Sequence, residues 1–363
     1  MRGSEMRWGY GARFAFAAVV GLGASAAWAA SDYSDKDFSV RLPSAFVRFT
    51  EVATSGGESV ANRYSSAVNP ASAGWLEVPT PLGVGLIAAP YYSHIYFNQG
   101  TRLNLTAESA TWDTKDLGLG VIQLNVTQIR SNRETTRQGL LFDYEVDDFL
   151  IQWAKRFGPV GVGASFDYAR TDIAETATLP MLGRIKVLDA ESESYRFRVG
   201  GLYEPAERWL VGLIVEYGWA PASANVVAFV PPYMTPVHLR VHDTEHQYIV
   251  RPGVSYAYQE FPEDKTASVA YLDYQLGVFE TDTDILHSSR FSFGVDQRVL
   301  RWLFVRLGPS VDTRGNVGFA AGIGAYFSEH VAVDVGYQYN MLPELQPEFG
   351  PAQIFQVAVS VRI

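Results

Sequence analysis

From Gly315 to Met341 apolar and polar residues alternate at period two on both sides of a short Ser-Glu-His break, and no other feature limits the possible folds so tightly. Val317, Phe319, Ala321, Ile323, Ala325 and Phe327 share one face, while Gly318, Ala320, Gly322, Gly324 and Tyr326 share the other. Past the break, Val331, Val333, Val335, Tyr337, Tyr339 and Met341 continue the apolar face opposite Ala332, Asp334, Gly336, Gln338 and Asn340. Successive side chains of a strand point to opposite faces, so the pattern predicts a hairpin that is apolar on one side and small or hydrophilic on the other. Such a hairpin fits a barrel wall between lipid and a wet lumen.

The N-terminus agrees with export. Arg2, Arg7 and Arg13 precede an apolar stretch from Phe14 to Ala27, and Ala27-Trp28-Ala29 supplies a small-x-small site, which predicts a signal peptide over residues 1–29. The apolar core is shorter than the ~20 residues of a spanning helix. With 0 Cys in the chain, lipoprotein processing, a disulfide framework, a thiol nucleophile and a Cys-based metal site are all excluded. Removing residues 1–29 takes three Arg and one Glu from 29 basic and 39 acidic side chains, leaving 26 and 38 and a net charge near −12. An acidic chain without a basic run is no partner for nucleic acid.

Aromatic residues make up 13% of the chain and Gly is frequent at 32, yet mean hydropathy is only −0.02. Alternating lipid-facing and lumen-facing residues cancel in this way. The two long uncharged windows, 78–101 and 217–239, contain Pro79, Pro81 and Pro90, and Pro221, Pro231, Pro232 and Pro236. Proline removes a helical hydrogen bond and clashes with the preceding turn, so neither window is a helical span.

Residues 30–80 lack the alternation and form an N-terminal plug segment in this reading, ahead of an outer-membrane barrel over residues 81–363. From Val84 onward about fourteen segments have the length of a tilted membrane strand. They include 145–157, 159–172, 194–204, 208–219 and 245–258, and the last, 353–363, alternates up to Ile363. Connections after even-numbered strands are short, whereas long ones (131–144, 173–193, 220–244, 279–285 and 342–352) follow odd-numbered strands. Bacterial barrels have short periplasmic turns and longer extracellular loops, so both ends of the barrel belong in the periplasm. The predicted fold is all-β, a transmembrane antiparallel barrel of about 14 strands in the outer membrane of a Gram-negative bacterium.

Just before the first strand lies Ser65-Ser66-Ala67-Val68-Asn69-Pro70-Ala71-Ser72-Ala73-Gly74. This "NPA" element, its place after the cleavage site, the strand count and the loop parity make the chain resemble the FadL/TodX family of outer-membrane transporters for fatty acids and aromatic hydrocarbons. The resemblance implies that Asn69, Pro70 and Ala71 belong to a plug closing the lumen. It also implies an apolar capture groove in the connections after the fifth and seventh strands, where Leu179, Met181 and Leu182, and Val227, Phe229, Tyr233 and Met234, are the candidate ligand-binding residues. Family members release substrate sideways at a kink in the third strand, and Gly118 and Gly120 lie at the start of that strand here.

The same register turns Arg196, Arg198, Arg251, Arg290, Arg306 and Arg362 inward with Asp167, Glu216, Asp273, Asp296 and Asp334. Two roles are open to this set: wall ion pairs, or an anchor in which Arg196, Arg198, Arg251 or Arg290 forks a ligand carboxylate. His238, His242 and His246 recur every fourth residue, ~13 Å apart in a strand, too far for one metal ion. No Gly-x-Ser-x-Gly elbow is present, and no catalytic residue or cofactor is assigned. The expected function is passive uptake of hydrophobic small molecules through a barrel in contact with outer-membrane lipid. The alternatives are a binding or assembly barrel with a secreted protein partner, and a general porin.

Overall fold

The computed structural model describes residues 59–63, 68–75, 84–97, 102–114, 118–131, 134–135, 141–179, 183–230, 235–261, 266–282, 285–328, 331–340 and 351–362. The expected signal peptide and most of the expected plug segment lie outside them. A short 3-10 turn, Pro70–Trp75, precedes an all-antiparallel sheet. The strands are β1 (Val84–Phe97), β2 (Arg102–Thr114), β3 (Val121–Ser131), β4 (Glu134–Thr135), β5 (Leu141–Phe157), β6 (Val160–Leu179), β7 (Gly183–Ala206) and β8 (Trp209–Val230), followed by β9 (Thr235–Phe261), β10 (Thr266–Glu280), β11 (Ile285–Leu300), β12 (Leu303–Asp312), β13 (Val317–Tyr326), β14 (Val331–Tyr339) and β15 (Ala352–Arg362). Each pairs with its chain neighbour, β3 pairs with β5 past the two-residue β4, and β1 pairs with β15. The result is a closed fourteen-stranded barrel.

The wall is built inside out relative to a water-soluble protein. On β8, Trp209, Val211, Leu213, Val215, Tyr217 and Trp219 are exposed on the outer face, while Leu210, Gly212, Ile214, Glu216, Gly218 and Ala220 are buried on the inner one. Aromatic rings bound this apolar band at both edges. At the end with the short turns, Trp209 packs on Tyr256 with ring centroids 4.8 Å apart, and Trp153, Tyr203, Trp302 and Phe327 are exposed around the same rim. At the other edge Tyr168, Tyr195 and Trp219 form a stack with centroids 5.3 and 5.2 Å apart, continued by Tyr217 and Tyr248 at 5.3 Å. The ten steps from Trp209 to Trp219 cover ~33 Å along the strand, or ~25 Å of height at a tilt of ~40°, the thickness of an outer-membrane apolar band. The barrel therefore spans the outer membrane, with its short turns in the periplasm.

Three of the predicted long connections are corrected by the structure. Within 173–193, β6 runs to Leu179 and β7 begins at Gly183; within 220–244, β8 runs to Val230 and β9 begins at Thr235; and within 131–144, β5 begins at Leu141. β6 to β9 thus contain 20, 24, 22 and 27 residues, far more than the ~9–11 that a membrane strand requires. The reason is a reversal of polarity above the outer aromatic girdle. On β5 the outward residues there are Asp143, Glu145 and Asp147, and the inward ones are Tyr144 and Val146. On β9 the outward residues are His238, Arg240 and His242, with Leu239 and Val241 between them. Once the wall leaves lipid, its outer face meets water, and polar residues belong there. Pro221, tolerated within β8 opposite Thr244, also broke the pattern in sequence.

Gly118 and Gly120 both precede β3, and β3 keeps an unshifted register with β2 and β5. The two glycines have positive φ (97° and 103°) in the turn that packs under Trp153, whose indole donates to the Leu119 carbonyl at 2.9 Å.

Arginine in place of Leu213, outward at mid-band, is expected to cost ~2–4 kcal/mol of unfolding stability in lipid vesicles, against ~0–1 kcal/mol for arginine in place of Trp219 in the girdle. Equal costs in urea titrations of the two variants would contradict the placement of the membrane.

Candidate functional site

The inner wall is divided into three levels. On the periplasmic side, residues 59–63 and 68–75 form a strap lying on the inner face of β5 to β10. Asn69, 1% exposed, is its organising residue. Its Nδ2 donates to the Val60 carbonyl at 2.9 Å and to the Gly201 carbonyl of β7 at 3.1 Å, and its Oδ1 accepts from the Ala71 amide at 3.0 Å. The expected motif Asn69, Pro70 and Ala71 is therefore buried at the wall.

Further bonds tie the strap down along its length. Ser59 Oγ and the Val60 amide donate to Asp273 at 2.8 and 3.0 Å, and Ser255 Oγ donates to the Ala61 carbonyl at 2.6 Å. Arg198 Nη1 donates to the Val68 carbonyl at 3.1 Å, Arg63 pairs with Glu204 at 3.1 Å, and the Arg156 guanidinium lies 4.8 Å over the Trp75 ring. The wall makes room by omitting side chains. A Cβ at Gly163 would come within 2.5 Å of the Pro70–Ala71 backbone, and one at Gly212 within 2.5 Å of the Val60 carbonyl.

Above and beside the strap runs a belt of ion pairs. Arg196 bonds to Asp167, its Cα partner on β6, and Arg198 Nε donates to Glu216, its partner on β8, at 3.0 Å. Arg251 reaches Asp273 at 3.0 Å, and Arg306 reaches Asp334 at 2.6 Å and Asp296 at 3.5 Å. Arg290 on β11 has Asp312 as its Cα partner on β12. Breaking such a buried pair strands an uncompensated charge, at ~3–5 kcal/mol, so these groups hold each other firmly in place.

Toward the extracellular side the inner wall changes character. An apolar arc crosses eight neighbouring strands, with Ile354 on β15, Ile95 on β1, Leu105 on β2, Ile129 on β3, Tyr144 on β5, Ile173 on β6, Leu188 on β7 and Val226 on β8 in one packed cluster. The remaining strands present the buried polar groups Gln247, Gln275, Ser288, Ser310 and Gln338 to the interior, beside a separate apolar cluster of Ile249, Phe279 and Leu286. Of the expected groove residues, Val227 is buried within the arc. Phe229 and Leu179 occupy strand ends, where their Cα partners are Pro236 and Gly183. Met181, Leu182, Tyr233 and Met234 lie outside the described residues.

One ionisable side chain interrupts the arc. Glu175 shares the inner face of β6 with Ile173 and Ala177, 2% and 8% exposed, and its Cα partner on β7 is Leu188, 2% exposed. Burial among these groups pushes its carboxyl from 4.5 up to about 7. Sequence reading missed it because residues 173–193 were taken as a loop. The signal available was the run Ile173, Glu175, Ala177 at period two.

No family model matches the chain, and no curated protein matches it. Solved structures do. The monoaromatic hydrocarbon channel CymD is 14% identical over 86% of this chain and 97% of its own, with a TM-score of 0.57. A FadL homologue from Pseudomonas aeruginosa is 11% identical over 85% and 96%, with a TM-score of 0.51. At these identities the likeness is one of fold, and it extends over nearly the whole of each solved chain.

Leucine in place of Gly163 is expected to lift the strap from the wall and to speed tryptic cleavage after Arg63 by at least about tenfold, the equivalent of ~1.4 kcal/mol of local stability. A barrel of unchanged gel mobility whose cleavage rate also stays the same would contradict the close fit.

Proposed function

We propose that this protein is an outer-membrane channel for passive uptake of hydrophobic small molecules. The observation that carries the reading is the apolar arc above the ion-pair belt, because a lumen serving ions or sugars gains nothing from aliphatic side chains on eight adjacent strands. Apolar solutes that enter among these side chains gain ~25 cal/mol for each Å² they bury there. The mature chain contains no Cys and no nucleotide-binding signature, and the reading requires neither cofactor nor energy input.

The strap acts as the plug in this reading. It occupies the inner wall on the periplasmic side, so solute passing down the lumen must displace it or move around it. Its bonds to Asp273, Ser255 and Arg198 are the ones that would exchange during passage. Capture of solute before it reaches the arc is assigned in this reading to Leu179, Met181, Leu182, Val227, Phe229, Tyr233 and Met234. A channel of the same fold whose name describes monoaromatic hydrocarbon passage supports the hydrophobic-solute reading.

The arginines fit wall support better than carboxylate capture. Arg196, Arg198, Arg251 and Arg306 already have wall carboxylates within bonding distance, and a fatty-acid head group would have to displace one of them. Neutral hydrocarbons need no such exchange.

Aspartate in place of both Leu188 and Val226 is expected to lower equilibrium binding of ethylbenzene to the nanodisc-embedded barrel by at least about tenfold, consistent with losing ~1.5–3 kcal/mol per buried aliphatic group. Unchanged binding in a correctly inserted variant would remove the arc from the uptake path.

A further inference from the structure

Above the outer aromatic girdle, β6 to β9 keep their basic residues to one face. Every basic residue of this extension (Arg170, Arg184, Lys186, His238, Arg240 and His242) is exposed on the outer side. Arg170 and Lys186 are there paired with Asp172 and Asp189 at 3.4 and 2.5 Å. The inner side carries carboxylates instead: Glu175, Asp243 and Glu245. Two of these have local donors. The Thr244 and Asp282 amides donate to Asp243 at 2.8 and 2.9 Å, and Gln247 donates to Glu245 at 2.8 Å.

Glu175 differs from both. Ile173, Ala177 and Leu188 beside it on the inner face cannot donate a hydrogen bond from their side chains, its Cα partner on β5 is Phe142, with Tyr144 the next inward residue of that strand, and no hydrogen bond or ion pair joins Glu175 to any described residue. A carboxylate in an apolar wall is costly unless something pairs with it. Nothing in the barrel's construction requires an acid here, since alanine or leucine at the same position would extend the arc without a break.

The geometry points to Glu175 as a head-group site that selects, among hydrophobic solutes, those carrying a cationic amine. This rests on the uptake reading above and narrows it. An aryl- or alkylamine lays its apolar part along the arc and brings its ammonium to the carboxylate, where charge-assisted hydrogen bonds form away from bulk water. A solute carboxylate meets the opposite outcome: its charge faces Glu175 without a cation on the inner face of the extension to offset it. No bond is made or broken covalently, and the selection is one of binding alone.

The test uses three probes of matched size, 2-phenylethylamine, ethylbenzene and phenylacetate, with the full-length barrel in nanodiscs and binding followed by equilibrium dialysis. The amine is expected to bind at least about tenfold more tightly than the acid. Glu175→Gln should bring the two within about threefold, and Glu175→Lys should reverse the order. Ethylbenzene binding with no amine-over-acid preference in the wild type, or a preference that survives both substitutions, would overturn the role of Glu175 alone. Failure of all three probes to bind would overturn the uptake reading itself.

Discussion

Closure of the sheet, β1 against β15, is the constraint on which the rest of this structure depends. A strand edge in hydrocarbon leaves amide and carbonyl groups without partners, at several kcal/mol each, so a sheet can cross a membrane only as a ring. Once the ring exists, each strand has one face toward lipid and one toward a lumen. That division explains the exposed Trp209 to Trp219 series, the inward arginines and the glycines under the strap. It also explains why the interior is where chemistry can differ from strand to strand, because the outer face is held to one composition by the lipid.

The lumen departs from a plain water-filled tube in two ways. Its middle is held by ion pairs between adjacent strands, with Arg196 opposite Asp167 and Arg198 opposite Glu216. These pairs tie wall to wall and, through Arg198 and Asp273, wall to strap. Above them lie the apolar arc and the tall β6–β9 extension, and the other strands carry buried amides and hydroxyls there together with a second apolar group, Ile249, Phe279 and Leu286.

Much of this was legible in the sequence, for a physical reason. Between the girdles lipid enforces the alternation strictly, so strands such as β13 and β14 could be read nearly to the residue, and the register that followed placed the arginines inward. Past the girdle that enforcement ends. On β5 the outward positions change from Phe149, Ile151 and Trp153 to Asp143, Glu145 and Asp147, and a pattern that has changed sign reads as a pattern that has ended. The tall extension and Glu175 were lost for that reason. The Asn69-Pro70-Ala71 element stood out in sequence, whereas Gly163 and Gly212, its complements in the wall, carried no sign of what they face. Pairing between strands distant from the strap in sequence decides that, and no local signal encodes it.

The central claim is that the apolar arc is where solute resides. Anomalous diffraction from crystals of the barrel soaked with a brominated ethylbenzene tests it most directly. The account predicts bromine density inside the lumen, in contact with Ile173, Leu188 or Val226. Density confined to the outer aromatic girdles, or none within the barrel at saturating probe, would contradict it.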